Sequence, residues 1–176
     1  KAIRDNAPAS SSLHDEWADE SMAGTWVGVG WDTEISKKVK YLNIDNKVLT
    51  SLDVSGLHHL QDLNCAQNQL YSLNVSGMER LGKLECSGNR LTSLDLSGLK
   101  NLESLECGSN QLTSLDVSAL NNLKTFSFRT NYLTSLNVSG LLNMESLDCA
   151  YNPLGTLDVS GLANLQVLDC EDTRLT

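Results

Sequence analysis

The chain has 176 residues and a formal net charge of −9 at pH 7, so it is long enough for one domain, and its charge argues against nucleic acid and anionic membrane surfaces as partners. Apolar residues make up 40% of the chain and aromatic residues only 5%, which predicts a mostly aliphatic core. No apolar run approaches the roughly 20 residues of a membrane-spanning helix, which argues against membrane insertion.

The N-terminal part of the sequence predicts a cap that is preceded by a disordered segment, residues 1–11. Ser12 is followed by early carboxylates, a pattern typical of a helix start, and Gly24 follows the apolar positions, so we expect a short helix near residues 12–22. The strand-like segment with Trp26 and Trp31 is expected to cover the first layer of the core. We therefore assign residues 12–38 to an N-terminal cap.

From residue 39 to residue 176 the sequence repeats every 21 residues, giving six full units and a truncated seventh. Phe128 stands where the period would place a further cysteine. The periodic cysteines are Cys65, Cys86, Cys107, Cys149 and Cys170. The periodic asparagines are Asn68, Asn89, Asn110, Asn131 and Asn152.

A single unit has too few apolar side chains to offset the conformational entropy of ordering its backbone. Stacked units share one core and a ladder of backbone hydrogen bonds, which predicts a solenoid. The alternation of apolar and polar residues in Leu63-Asn64-Cys65 predicts a short strand, and strands that recur every 21 residues must run parallel. Leu73-Asn74-Val75 is expected to be extended or a second short strand, followed by a turn at Ser76-Gly77.

The pattern LxxLxCxxNxL in residues 39–176 resembles the leucine-rich repeat, with cysteine at the third leucine position, and the trailing LxxLDVSGL resembles short repeats of secreted Bacteroidetes proteins. This resemblance implies a parallel β-sheet on the concave face, with extended segments and 3₁₀ turns on the convex face. It implies that the periodic asparagines bond backbone groups in the turn after each strand. It also implies a secreted or cell-surface protein whose leader has been removed.

The residues around Trp26 and Val39 resemble the cap that opens many leucine-rich domains, although the flanking cysteines of that cap are absent. We expect the five periodic cysteines to be free buried thiols, because parallel Cβ vectors disfavour a disulfide and a straight line of thiols cannot surround a metal ion. No cofactor and no metal site are expected. Turn capping is favoured over calcium binding for a column of short polar residues: Asp53, Asn74, Asp95, Asp116, Asn137 and Asp158.

The outward-facing strand positions carry many acidic residues and few basic ones, which has two interpretations. The face binds a basic protein or surface ligand, or it is a solvated face that keeps the protein soluble. Tyrosine and arginine are favoured anchors of interfaces, so Arg129 with Tyr151 is the first patch to test. The candidate binding residues are Tyr41, Asn43, Asp45, Asp62, Asn64, Glu85, Glu106, Arg129, Asp148, Tyr151 and Asp169.

The sequence contains no catalytic motif, so we expect a non-enzymatic module that mediates protein–protein or adhesive interaction through its concave face. The alternative is a structural spacer arm of a larger surface protein, and the end at Thr176 in mid-unit suggests a further domain or a missing cap. Phe126 and Phe128 interrupt the pattern, either as core residues or as part of a specialised binding repeat.

Overall fold

The computed structural model describes residues 39–176, which form one coil of chain per 21-residue unit. The predicted disordered segment 1–11 and the predicted cap at 12–38 lie outside the described residues. Seven strands form the main sheet: β1 (Tyr41–Asn43), β3 (Asp62–Asn64), β5 (Lys83–Glu85), β6 (Ser104–Glu106), β7 (Thr125–Ser127), β8 (Ser146–Asp148) and β9 (Val167–Asp169). Two strands form a second, smaller sheet: β2 (Ser51–Asp53) and β4 (Ser72–Asn74).

Every strand pair is parallel, and each residue lies beside the residue 21 positions further along the chain. Leu42 pairs with Leu63, for example, and Leu84 pairs with Leu105. This register places equivalent side chains of successive units in straight columns across the sheet. The predicted leucine-rich-repeat solenoid with a parallel sheet on its concave face is confirmed.

The core is a single aliphatic stack that runs the length of the described chain. The central residue of each main-sheet strand from β1 to β8 points into it and is buried, as Leu63 and Leu84 show, whereas Leu73 at the centre of β4 in the smaller sheet is half-buried. In β7 that residue is Phe126, whose ring lies 4.9 Å from the ring of Phe128, also buried. The two rings therefore fill the core of their coil, and the interpretation of both as core residues agrees with their burial.

The cysteine column is buried in all but its last member. Cys65, Cys86, Cys107 and Cys149 are buried free thiols, whereas Cys170 is exposed. The expectation of a buried thiol is thus wrong for Cys170, because β9 is an edge strand of the described sheet and has a neighbouring coil on one side only.

The convex side consists of extended segments joined by pairs of consecutive turns of 3₁₀ type. In the first coil the Leu57 N–H donates to the Val54 carbonyl and the Leu60 N–H donates to the Leu57 carbonyl, both at 2.8 Å. Similar tandem turns recur in later coils, and no helix occurs within residues 39–176. The predicted second strand forms only in the first two coils, as β2 and β4.

No helix in this part of the chain is long and apolar enough to cross a membrane.

Candidate interaction surface on the concave sheet

The outward side chains of the main sheet form two parallel columns, which together we call the concave strip. The first residue of each strand supplies one column: Tyr41, Asp62, Lys83, Ser104, Thr125, Ser146 and Val167. The last residue of each strand supplies the other: Asn43, Asn64, Glu85, Glu106, Ser127, Asp148 and Asp169. Neighbouring strands in a sheet are about 4.8 Å apart, so consecutive members of a column are in reach of one partner group.

The centre of the strip carries two glutamates side by side. Glu85 and Glu106 are register partners on β5 and β6. Burial raises the pKa of the half-buried Glu106 carboxyl, and the negative charges of Glu85 and Asp148 raise it further, while Lys83 lowers it. A cation placed beside this pair would counter the charge repulsion that contributes to the raised pKa of the Glu106 carboxyl.

A second cluster lies beside this pair, at β7 and β8. The Ser127 hydroxyl donates to the Asp148 carboxylate at 2.9 Å, and the Arg129 guanidinium approaches the same oxygen at 3.4 Å. The Arg129 guanidinium also lies 5.6 Å from the centre of the Tyr151 ring. The structure therefore brings together Arg129 and Tyr151, which the sequence singled out, and adds Asp148 to them. Ser127 was missed, although its place in the 21-residue period could have identified it.

Several polar residues of the strip also hold the turn that follows their own strand. Asn43, Asn64, Glu85, Asp148 and Asp169 each accept a hydrogen bond from the backbone N–H two residues later, at 3.1–3.2 Å. Such local bonds satisfy turn backbone groups and fix the side-chain direction. These residues thus have a structural role in addition to the proposed binding role, which the sequence reasoning did not anticipate.

The remaining candidates lie towards the ends of the strip. Tyr41 is 64% exposed on β1 and Asp62 is half-buried on β3. Asp45 follows β1 and is half-buried. Asp169 on the edge strand β9 is the last acidic member of its column. The structure brings Asn64, Glu85 and Glu106 into adjacent positions, but Tyr41 and Asp169 are six strands apart.

Beneath the strip, the periodic asparagines join neighbouring coils. The Asn110 amide donates to the Cys86 and Cys107 carbonyls, both at 3.1 Å, and its oxygen accepts from the Leu91 N–H at 3.0 Å. Asn68, Asn89, Asn131 and Asn152 make equivalent bonds. In the last unit Thr173 takes this place, and its hydroxyl donates to the Cys170 carbonyl at 2.7 Å.

A second asparagine column, which the sequence reasoning missed, lies on the flank that precedes the sheet. Asn101, Asn122, Asn143 and Asn164 each donate to a carbonyl 22 residues earlier, at 2.7–2.9 Å. They could have been found from the same period. Because all four are exposed, they add less to stability than the buried column.

The environments of the cysteine and aspartate columns indicate structural roles, in the core and in the convex turns. Burial raises the pKa of the Cys65, Cys86 and Cys107 thiols, which holds them in the neutral form. On the convex side hydrogen bonds from the serine two residues later lower the pKa of the Asp95 and Asp116 carboxyls. The Ser97 backbone N–H has the larger effect on Asp95, and the Ser118 side chain has the larger effect on Asp116. Within residues 39–176 no group of histidine, cysteine, aspartate or glutamate side chains is arranged to hold a metal ion.

Comparison with known proteins places this architecture in context. The family model of leucine-rich repeats (two copies) matches residues 79–121. None of the curated proteins matches the chain at a significant level.

Among solved structures, the functional domain of InlJ from Listeria monocytogenes, which includes a cysteine ladder, is 38% identical with a TM-score of 0.73. The alignment covers 74% of this chain and 29% of that one. An internalin from Listeria monocytogenes is 27% identical with a TM-score of 0.73, and the alignment covers 79% of this chain and 44% of that one. A TLR13–ssRNA13 complex is 26% identical with a TM-score of 0.65, and the alignment covers 76% of this chain and 21% of that one. The chain thus spans less than half the length of each structure.

Proposed function

The chain is a leucine-rich-repeat protein, and from that premise we propose that it is a non-enzymatic binding module whose concave strip recognises a basic region of a protein partner. The observation that carries this proposal is the pair Glu85 and Glu106, in register on adjacent strands, with the pKa of the Glu106 carboxyl raised by burial and by its neighbours. A lysine or arginine of a partner would stabilise both carboxylates at once.

The charge of the strip favours a protein over a nucleic acid, even though one similar structure is a complex with RNA. Asp62, Glu85, Glu106, Asp148 and Asp169 face outward along the sheet, and they would repel a phosphate backbone. Arg129 offsets only one of them, because it pairs with Asp148, and Lys83 is the other basic side chain along the described part of the strip. The most direct anchor for a partner's apolar side chains is Tyr151, which stands exposed at the rim of the strip.

The test is a pull-down with a lysine-rich peptide immobilised on beads, at low and at physiological salt. We expect the wild-type chain to be retained at low salt, and Glu85→Lys with Glu106→Lys to abolish retention. A matched control is Glu79→Lys with Glu145→Lys, which changes the net charge equally at exposed positions outside the strip. Two results would contradict the proposal and favour a spacer arm. The two double variants could be retained equally, or the peptide could retain neither the wild-type chain nor the control variant.

We also propose that the protein acts outside the cell, at the surface or in secreted form. The resemblance to short repeats of secreted proteins and the similarity to two structures from Listeria monocytogenes support this location. Fractionation of source cells with an antibody against the chain tests it: the protein is expected in the medium or on intact cells, and recovery from the cytosol alone would contradict the location.

A further inference from the structure

Within residues 39–176, one flank of the solenoid contains no acidic residue, although the net charge of the chain is −9. This flank follows the sheet and its turn, and is formed by the same four positions of each unit, the first three of them in the last segment. The segments are 48–51, 69–72, 90–93, 111–114, 132–135, 153–156 and 174–176. We call them the tyrosine–arginine flank. The concave strip, the convex aspartate column and the opposite flank all carry carboxylates, so the charge of the molecule is segregated by face.

Arg90 lies near the middle of this flank and is held in place by an aromatic ring. Its guanidinium donates to the Tyr71 hydroxyl and lies 5.4 Å from the centre of the Tyr71 ring. The ion pairs found among residues 39–176 involve Lys124 and Arg129, not Arg90. A guanidinium has five N–H donors in a planar fork, so most of the hydrogen-bonding capacity of Arg90 is left for a ligand.

Exposed apolar groups stand on both sides of Arg90 along the solenoid axis. Tyr71 is 57% exposed, Tyr132 is 59% exposed and Val48 is 50% exposed. The backbone N–H groups of Arg90, Gln111 and Tyr132 bond the preceding coil in the same way, each at 2.9 Å, so the three residues stack in line. Arg90 and Tyr132 are thus two coils apart, or roughly 10 Å at the usual strand spacing.

We propose that the tyrosine–arginine flank is a second interaction surface, whose partner is a protein segment that presents a glutamate or aspartate carboxylate between apolar side chains. Arg90 binds the carboxylate, and the rings of Tyr71 and Tyr132 pack against its apolar neighbours. The absence of local carboxylates removes competition for Arg90, and tyrosine and arginine are the residue types that dominate interface energies. This surface is independent of the concave strip and selects the opposite charge.

The probe is the blocked tripeptide acetyl-Leu-Glu-Leu-amide, titrated into the ¹⁵N-labelled full chain at physiological salt, where the overall negative charge is screened. The matched probe acetyl-Leu-Gln-Leu-amide differs only in the carboxylate. We expect shifts of the Arg90 side-chain N–H and of the Tyr71 amide, and about tenfold weaker binding of the glutamine peptide, because hydrogen bonds to charged groups are the stronger ones.

Variants separate this site from a general charge effect. Arg90→Gln should weaken binding of the glutamate peptide about tenfold, whereas Arg80→Gln, an exposed arginine beside His59 on the opposite flank, should leave it unchanged. Tyr132→Ala should weaken binding several-fold and leave the rest of the spectrum intact, since the ring is exposed. Glu85→Lys with Glu106→Lys should not change it, which separates this surface from the concave strip.

The proposal is overturned if the two peptides bind equally, if the shifts lie outside the flank, or if Arg90→Gln binds as the wild type does. A further arm uses sodium acetate. Acetate that produces the same Arg90 shifts with the same affinity as the glutamate peptide would also overturn it, because the flank would then bind a small anion and not a protein segment.

Discussion

At the scale of single residues, one amide group connects each coil to the next. The Asn110 side chain satisfies two carbonyls and one N–H that no other backbone group reaches, and it is 7% exposed. A buried backbone group without a partner costs about 1–3 kcal/mol. The asparagine column is therefore a requirement of stacking, which explains why it persists where cysteine gives way to Phe128.

Replacing Asn110 by alanine should lower the free energy of unfolding by about 1–3 kcal/mol, because the buried Leu91 N–H loses its only partner. The Cys86 and Cys107 carbonyls each keep a bond from another amide of the column, Asn89 and Asn131. Asn101→Ala removes a single exposed bond to the Glu79 carbonyl and should cost less than about 1 kcal/mol. Urea unfolding followed by circular dichroism measures both variants. Similar losses for the two would show that the buried amide does not hold the coils together.

Glu106 is a residue where binding and stability oppose each other. Burial and neighbouring carboxylates raise the pKa of its carboxyl above the ordinary value of 4.5, so its charged form destabilises the fold. This loss of folding stability is present when the pH is above the raised pKa, and it disappears as the pH falls below 4.5. Glu106→Gln should therefore raise the unfolding midpoint at pH 7 but not at pH 4.

The exposed Glu103, which pairs with Lys124, provides the control. Glu103→Gln should produce no gain at pH 7, since an exposed ion pair contributes little and its loss relieves no buried charge. A Glu106→Gln gain that is equal at the two pH values would mean that its cause is packing and not charge.

At the scale of the element, the coil that starts at Leu123 differs from its neighbours in its core residues and not in the outward residues of its strand. Phe126 replaces a leucine and Phe128 replaces a cysteine, and both rings are buried at 4.9 Å from each other. The outward residues of the same strand, Thr125 and Ser127, continue the polar columns. The departure from the repeat is a change in how the core is filled, and the sheet register passes through it undisturbed.

Restoring the repeat by Phe128→Cys should destabilise the protein by about 2–4 kcal/mol, since the ring leaves a cavity that Phe126 alone cannot fill. Adding Phe126→Leu should recover little, because the neighbouring coils are spaced by backbone hydrogen bonds and cannot collapse. Thermal unfolding of the single and double variants tests this. A single variant more stable than the wild type would show that the two rings strain the core.

At the scale of the whole molecule, the period of 21 residues predicted the solenoid, the parallel sheet, and the columns of asparagine and cysteine. The period did not predict the exposure of Cys170, which follows the same pattern as Cys149 but lies next to β9, the edge strand of the described sheet. Nor did it identify the contact between Tyr71 and Arg90, which lie in different units, 19 residues apart, and meet only when coils stack. Which outward residues bind a partner depends on the partner, which the repeat does not encode.

The central claim is that each 21 residues add one coil to a continuous stack, and spin-label distances test it most directly. In a Cys170→Ser background the other cysteines are buried and unlabelled, so labels can be placed at Tyr41 and, in turn, at Thr125, Ser146 or Val167. The account predicts distances of roughly 19, 24 and 29 Å, which is one strand spacing more per step. Distances that do not rise by about 5 Å per unit would contradict it.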